Sequence, residues 1–245
     1  MSLRIGFDLD GVLADMESEL VRQAELLFGE QVTRTLQKPA QPPETDTASD
    51  ADAGEPAADP PPSLTSLQMS PRQAKRLWRH VATIDGFWES LKEVEPGAVA
   101  RLSSLATERR WEVIFLTKRP ETSGATSQVQ SQRWLDAQGF TLPSVFVVHG
   151  SRGLIAQSLG LDFVIDDRPE NCLDVVVDSK ARAILVWRED EKLLPMPARR
   201  LGVGIVKSVG ESLQILSQVD DAGRERPGIV DKIKRRLGLG QPTGV

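Results

Sequence analysis

The sequence predicts an α/β fold in three layers, a parallel sheet covered on both faces by helices. Three observations carry this. Short apolar runs recur at residues 3–7, 113–116, 145–148, 163–165 and 183–186. Stretches with apolar residues at helical spacing lie between them. Three of the runs stop on reactive side chains: Asp8, Thr117 and Asp166-Asp167. Runs without polar alternation need both faces buried, which parallel sheets provide. Ligands of such sheets bind beyond the carboxyl ends of the strands.

Each element has its own signal. Residues 3–7 form the first strand. Residues 17–28 place Leu20, Val21, Ala24, Leu27 and Phe28 at helical spacing. Ser70-Pro71 is a helix start, with Ser as cap and Pro at the first position, and that helix runs to about residue 81. Residues 87–91 make a second short helix. Residues 96–109 make another, with Val99, Leu102, Leu105 and Ala106 on one face. A helix over 127–138 precedes the strand at 145–148. Arg152 stands at a helix start, a further helix begins near Pro169, and a last one covers 210–218.

Residues 38–62 are different. They hold six acids, one base, seven prolines, six alanines and no larger aliphatic or aromatic residue. Such a segment cannot bury enough apolar surface to offset its ordering entropy, so a disordered acidic loop is expected. A tolerated insertion is the plain reading and a docking site the alternative. The loop alone carries the net charge of −5, so the rest of the chain is neutral. A neutral body argues against binding a nucleic acid polymer, which needs a basic footprint. The tail from Arg224 is basic, and Ile229, Val230, Ile233 and Leu237 fit an amphipathic helix packed on its own core or on a partner.

Cys172 is the one cysteine, so no intrachain disulfide can form. With no His nearby, a packed core thiol is expected in a reducing compartment. No secretory leader and no apolar run near the ~20 residues of a membrane span is visible. A cytoplasmic protein without stable membrane association is expected. His80 and His149 have no metal-ligand spacing to another His or Cys and read as structural.

If the sheet is right, the ends of three strands share one rim. Asp8 and Asp10 are two apart, so in extended chain they face one way. That pair and Asp166-Asp167 repel unless a cation neutralises them. An all-oxygen, carboxylate-rich site suits magnesium. Thr117, Lys118, Arg119 and Arg152 supply the hydroxyl and cations that an anionic substrate needs. Carboxylates, magnesium and phosphate donors together suggest phosphoryl transfer.

Asp8-Leu9-Asp10-Gly11, Thr117, Arg152 and Asp166-Asp167, in that order, resemble the haloacid-dehalogenase (HAD) superfamily of phosphatases. The resemblance implies a Rossmann-like core with a small helical cap inserted after the first strand. Asp8-Leu9-Asp10-Gly11-Val12-Leu13-Ala14-Asp15, Phe87-Trp88, Glu95-Pro96-Gly97-Ala98, Leu116-Thr117-Lys118-Arg119-Pro120 and Ile165-Asp166-Asp167-Arg168-Pro169-Glu170-Asn171 are most similar to the 5′(3′)-deoxyribonucleotidase branch. The implied division is a core of 1–15 and 95–220, a cap of 16–94 and a tail of 221–245.

The resemblance also implies roles. Asp8 is the nucleophile that forms an aspartyl-phosphate, and Asp10 is the acid and base. The Asp8 side chain, the Asp10 main-chain carbonyl and Asp166 hold magnesium, with Asp167 beside them. Thr117 binds phosphate, and Gly11 lets the chain turn. The third-motif cation is commonly Lys; here it is Arg152, with Lys118 as the alternative. Phe87, Trp88 and Trp78 are available to hold a base, or to pack cap on core. Arg119 and Arg168 bind substrate or pair with an acid. The substrate expected is a small phosphate ester, first a nucleoside monophosphate and second a sugar or other metabolite phosphate. A phosphate-binding or scaffold protein is the third reading, and it has no need of a nucleophile.

Overall fold

In the computed structural model, residues 2–36, 67 and 69–225 are described. The acidic loop and the basic helix expected beyond residue 225 lie outside them. Among the described residues, β1 (Arg4–Asp8), β2 (Glu112–Thr117), β3 (Ser144–Val147), β4 (Phe163–Asp166), β5 (Arg182–Val186) and β6 (Gly204–Val206) form one parallel sheet. Its order is β3-β2-β1-β4-β5-β6. The order reverses at β1, which lies between β2 and β4, so their carboxyl ends are immediate neighbours. This is the α/β architecture the apolar runs predict.

Alternate strand residues feed two cores, which is the physical content of three layers. Phe7, Val113, Phe115, Ile165 and Ile184 pack on one face with α4 (Ala98–Arg109), α5 (Ser127–Ala137) and α9 (Val209–Glu225). Ile114, Leu116, Val164, Ala183 and Leu185 pack on the other. There they meet α6 (Arg152–Leu159), α7 (Pro169–Asp178) and α8 (Met196–Arg200) through Ala156, Cys172, Val175 and Ala198. Cys172 is fully buried, as a packed thiol should be. Burial above all, then Asp166, pushes it well above the usual thiol range.

Between β1 and α4 come α1 (Met16–Phe28), α2 (Glu30–Leu36), α3 (Pro71–Val81) and a 3₁₀ turn at Phe87–Glu89. The start of α3 at Ser70-Pro71 has its chemical cause. The Ser70 hydroxyl accepts from the Gln73 N–H, and the Gln73 side chain accepts from the Ser70 N–H. His80 on α3 meets Gln23 on α1 at 3.0 Å. The chain leaves and rejoins the core side by side. Asp15 N–H donates to the Lys92 carbonyl, and Val94 N–H to the Leu13 carbonyl.

Several boundaries differ from expectation. The helix expected from residue 96 starts at Ala98, because Gly97 is left-handed (φ 80°) and Glu93 accepts from the Gly97 and Val99 N–H groups. The last helix runs through Glu225, beyond the expected 218. The edge strand β6 has two of its three residues exposed, so it carries no periodic signal. Among the described residues, no helix is long and apolar enough to cross a membrane.

Candidate active site

The rim is built by three strand ends. β1 ends on Asp8, and the next residues fold back at once. Gly11 N–H donates to the Ala14 carbonyl at 2.9 Å, and Ala14 N–H to the Leu9 carbonyl at 2.7 Å. Gly11 is left-handed (φ 83°), and any side chain there would run into the Asp167 carboxylate. So glycine both makes the turn and lets the paired acids of β4 approach β1. Arg188, just beyond β5, donates to the Gly11 carbonyl at 2.5 Å and to Glu95 at 2.9 Å.

Asp8 is nearly buried and faces Arg152, whose Nη2 donates to Asp8 Oδ1 at 2.5 Å. Arg152 Nε lies 3.6 Å from Asp166 Oδ2. α6 therefore delivers a buried cation between the acids of β1 and β4. Lys118 follows Thr117 and is half-buried.

Asp166 is fully buried and held in place. Its Oδ1 accepts from the Arg168 N–H at 2.9 Å, and both its oxygens accept from Asn171 Nδ2. Asn171 belongs to the stretch that carries the resemblance, but its pairing with Asp166 has no signal in the sequence. Asp167 has a buried Oδ1 without a hydrogen-bond partner.

The electrostatics follow from this crowding. Burial first, then Asp166, pushes the Asp8 carboxyl well above the ordinary carboxylate range, and Arg152 offsets only part of it. Burial also raises Asp166, against Arg152, the Arg168 N–H and Asn171. Burial and then Asp166 push Asp167 up to about 8. Three carboxyls of this kind call for more positive charge than Arg152 supplies.

Asp10 has its own set of partners. Thr117 Oγ1 donates to its Oδ2 at 3.1 Å. Arg119 grips it as a fork, Nη2 on Oδ1 at 2.8 Å and Nε on Oδ2 at 3.0 Å. One expectation is corrected here. Arg119 is 1% exposed and takes the acid-pairing alternative instead of facing substrate. Thr117 is fully buried, and its hydroxyl lies against Asp10 at the same rim.

The expected base-holding pair is corrected too. Phe87 and Trp88 are fully buried. Their rings meet edge to face at 4.8 Å, and Trp88 Nε1 donates to the Pro120 carbonyl at 3.0 Å. They pack the 3₁₀ turn onto the core, the alternative left open for them. Trp78 is partly buried and packs against the same core.

The donor set fits one hard divalent cation. Asp166 and Asp167 lie close enough to Asp8 to raise its carboxyl, and Asp167 Oδ1 lacks a hydrogen-bond partner. Among the described residues, no group of three or more His, Cys, Asp or Glu side chains is placed so that it could hold a metal ion. Magnesium commonly uses one or two carboxylates plus waters and substrate phosphate, so a partial set suffices. The ligand atom implied for Asp10 is its main-chain carbonyl, while its side chain is held by Thr117 and Arg119.

Comparison with known proteins bears on this site. The family described as 5′ nucleotidase, deoxy (pyrimidine), cytosolic type C protein matches residues 62–191, more than half of the chain. That stretch holds Thr117, Arg152, Asp166 and Asp167 and leaves β1 outside. No curated protein matches the chain in sequence. Among solved structures, a HAD-family hydrolase from Deinococcus radiodurans R1, with bound phosphate and sodium, is 14% identical with a TM-score of 0.52. That similarity covers 93% of this chain and 99% of that one. A predicted phosphatase from Clostridium acetobutylicum is 13% identical with a TM-score of 0.51, over 89% of this chain and 99% of that one. At such identities the likeness is one of fold.

Proposed function

The chain belongs to the family of deoxy (pyrimidine) 5′-nucleotidases of cytosolic type C, with the HAD-type phosphatase fold, and from that premise we propose that it hydrolyses small phosphate monoesters, nucleoside monophosphates first, through Asp8 and Asp10. The observation that carries the reading is the divided environment of these two acids. Asp8 sits beside Arg152 and the acids of β4 at the end of β1, while Asp10, two residues on, is bonded by Arg119 and Thr117. Two acids with separate surroundings suit two separate roles.

In this mechanism Asp8 attacks phosphorus with the oxygen that Arg152 does not hold. The bond from phosphorus to the ester oxygen breaks, and Asp10 gives that oxygen a proton. A water then attacks the aspartyl-phosphate, Asp10 takes its proton, and the Asp8 carboxylate is released with inorganic phosphate. Arg152 neutralises phosphate charge on the side of Asp8. Asp8, Asp166 and the Asp10 main-chain carbonyl, with Asp167 beside them, would hold magnesium, which supplies charge neutralisation for the transferring phosphoryl group. Residues 16–94 act as a cap over the rim and 1–15 with 95–220 as the catalytic core, a division supported by the adjacent chain crossings at Asp15 and Val94.

A sugar or other metabolite phosphate remains the second reading, favoured by one observation. Phe87 and Trp88 are packed inside and offer no ring face to a base.

The test is phosphate release from a panel of deoxynucleotides, ribonucleotides and sugar phosphates, with magnesium and with chelator, beside D8N. Magnesium-dependent turnover that prefers nucleotides and vanishes in D8N is expected. Preference for sugar phosphates moves the substrate to the second reading, and absence of turnover on the whole panel overturns both.

A further inference from the structure

The Asp10 carboxylate has about four acceptor positions. Three donors take three of them: Thr117 Oγ1, Arg119 Nε and Arg119 Nη2. The Asp10 side chain is 11% exposed. The fork thus fixes the carboxylate plane and leaves one acceptor position for the rim.

Arg119 is itself locked. Its side chain is fully buried, and its Nη1 donates to Ser131 Oγ at 2.9 Å. The Ser131 hydroxyl donates in turn to the Ser127 carbonyl of α5 at 2.6 Å. The guanidinium lies 4.8 Å from the ring centre of Trp88 and 6.0 Å from that of Trp134. Both indoles are anchored, Trp88 to the Pro120 carbonyl and Trp134 to the Leu91 carbonyl. The Trp88 main-chain N–H donates to Gln130 Oε1 at 3.1 Å. A buried charge is costly unless it is paired and hydrogen-bonded, and Arg119 is both.

We infer that Arg119 is a positioning residue that fixes the Asp10 carboxylate for its proton transfers, and that Trp88 acts on the reaction through Arg119 instead of by holding a substrate base. The inference rests on the reading of Asp8 and Asp10 as the hydrolytic pair. The 3₁₀ turn then supplies the rigid ring face that backs the acid–base machinery from the side away from the rim. A fork is needed there, because a lysine offers one point charge and cannot define a plane.

Aryl and alkyl esters separate this role from others. A nitrophenolate leaves without a proton, so phosphorylation of Asp8 by p-nitrophenyl phosphate does not need Asp10. Hydrolysis of the aspartyl-phosphate still needs it as base. R119A is therefore expected to keep a rapid burst of about one nitrophenol per site and then to turn over about 100-fold more slowly than wild type. On a nucleoside monophosphate the same variant loses kcat without a burst, and KM moves little. R119K, which keeps charge and volume, shows the same pattern at smaller size and serves if R119A does not fold. W88L is expected to lower kcat about equally on both substrates, roughly 10-fold.

Burst and steady state falling together in R119K, a KM rise with kcat intact, or unchanged kinetics would each overturn the inference. So would a W88L defect confined to KM for nucleotides, which is the mark of a base-holding ring. If wild type turns over neither substrate, the proposed function fails and the inference with it. If wild type is active and the variants behave otherwise than stated, the inference fails alone.

Discussion

Arg152 Nη2 and Asp8 Oδ1 are 2.5 Å apart, and the arginine side chain is only 5% exposed. The first residue of α6 and the last of β1 thus meet as a buried ion pair, with Asp166 at 3.6 Å from the same guanidinium. Arg152 thus reaches both acids, which favours it over Lys118 for the proposed third-motif role. R152A should lower kcat/KM by at least ~100-fold. It should also destabilise the protein by about 3 kcal/mol, because an acid is left buried without its partner. R152K should recover part of both, and K118A should cost less than ~10-fold in kcat/KM. Steady-state kinetics and urea unfolding on the three variants check this, and a larger loss in K118A than in R152A would reverse the assignment.

The parts of this site that sequence made legible are those carried by strand ends. Asp8, Thr117 and Asp166 each follow a run whose apolar residues reach both cores, so the sheet and the rim could be read together. What pairs with what could not be read. Arg119 stands two residues after Thr117, and nothing in its spacing tells whether it faces solvent or turns back to Asp10. Trp88 and Phe87 have the composition of a base-binding wall, yet their burial is decided by how the 3₁₀ turn docks on α5. Arg188 reaches the Gly11 carbonyl from beyond β5, a contact across the sheet with no local signature.

Magnesium should stabilise the folded protein. A ligand that binds only the native state at 100 times its Kd adds about 2.7 kcal/mol, or several degrees in Tm for a chain of this size. Thermal melts with magnesium and with chelator should show that rise in wild type. D166N and D8N should lose most of it, since each removes a proposed ligand. A rise of equal size in D166N and D8N would mean that the cation binds elsewhere.

Glu95 ties the start of α9 to the rim through Arg188. It accepts from Val209 N–H at 2.7 Å, Gly210 N–H at 3.2 Å and Arg188 Nη2 at 2.9 Å. Burial alone would raise its carboxyl, but these bonds outweigh it and hold the group below its ordinary value. A carboxyl lowered on folding contributes stability that is present above its unfolded pKa. That stability is lost as pH falls through the folded pKa. E95Q should therefore be less stable than wild type at pH 7 by about 1 kcal/mol, and the gap should close as pH drops below about 4.5. Denaturant melts at pH 7, 5 and 3.5 measure it, and a gap that widens toward acid would contradict the sign.

Gly153 decides how closely α6 can approach α7, and with it where Arg152 stands. A side chain at 153 would run into the Asp174 main-chain carbonyl and the Asp178 side chain, and the main chain of α7 cannot swing aside. G153A should cost about 1–3 kcal/mol, as inserted methyl groups do in close-packed cores. Its effect on activity should exceed what lost stability explains, because Arg152 is the adjacent residue and must reach both Asp8 and Asp166. L216A on α9 is the control. Leu216 is fully buried on the opposite face of the sheet, and its truncation should cost about 2–5 kcal/mol. Measured well below both melting temperatures, L216A should keep its activity per folded molecule while G153A loses at least ~10-fold. Equal specific activities in the two variants would mean that α6 can shift without moving the cation, and that Arg152 is held by its acids rather than by its helix.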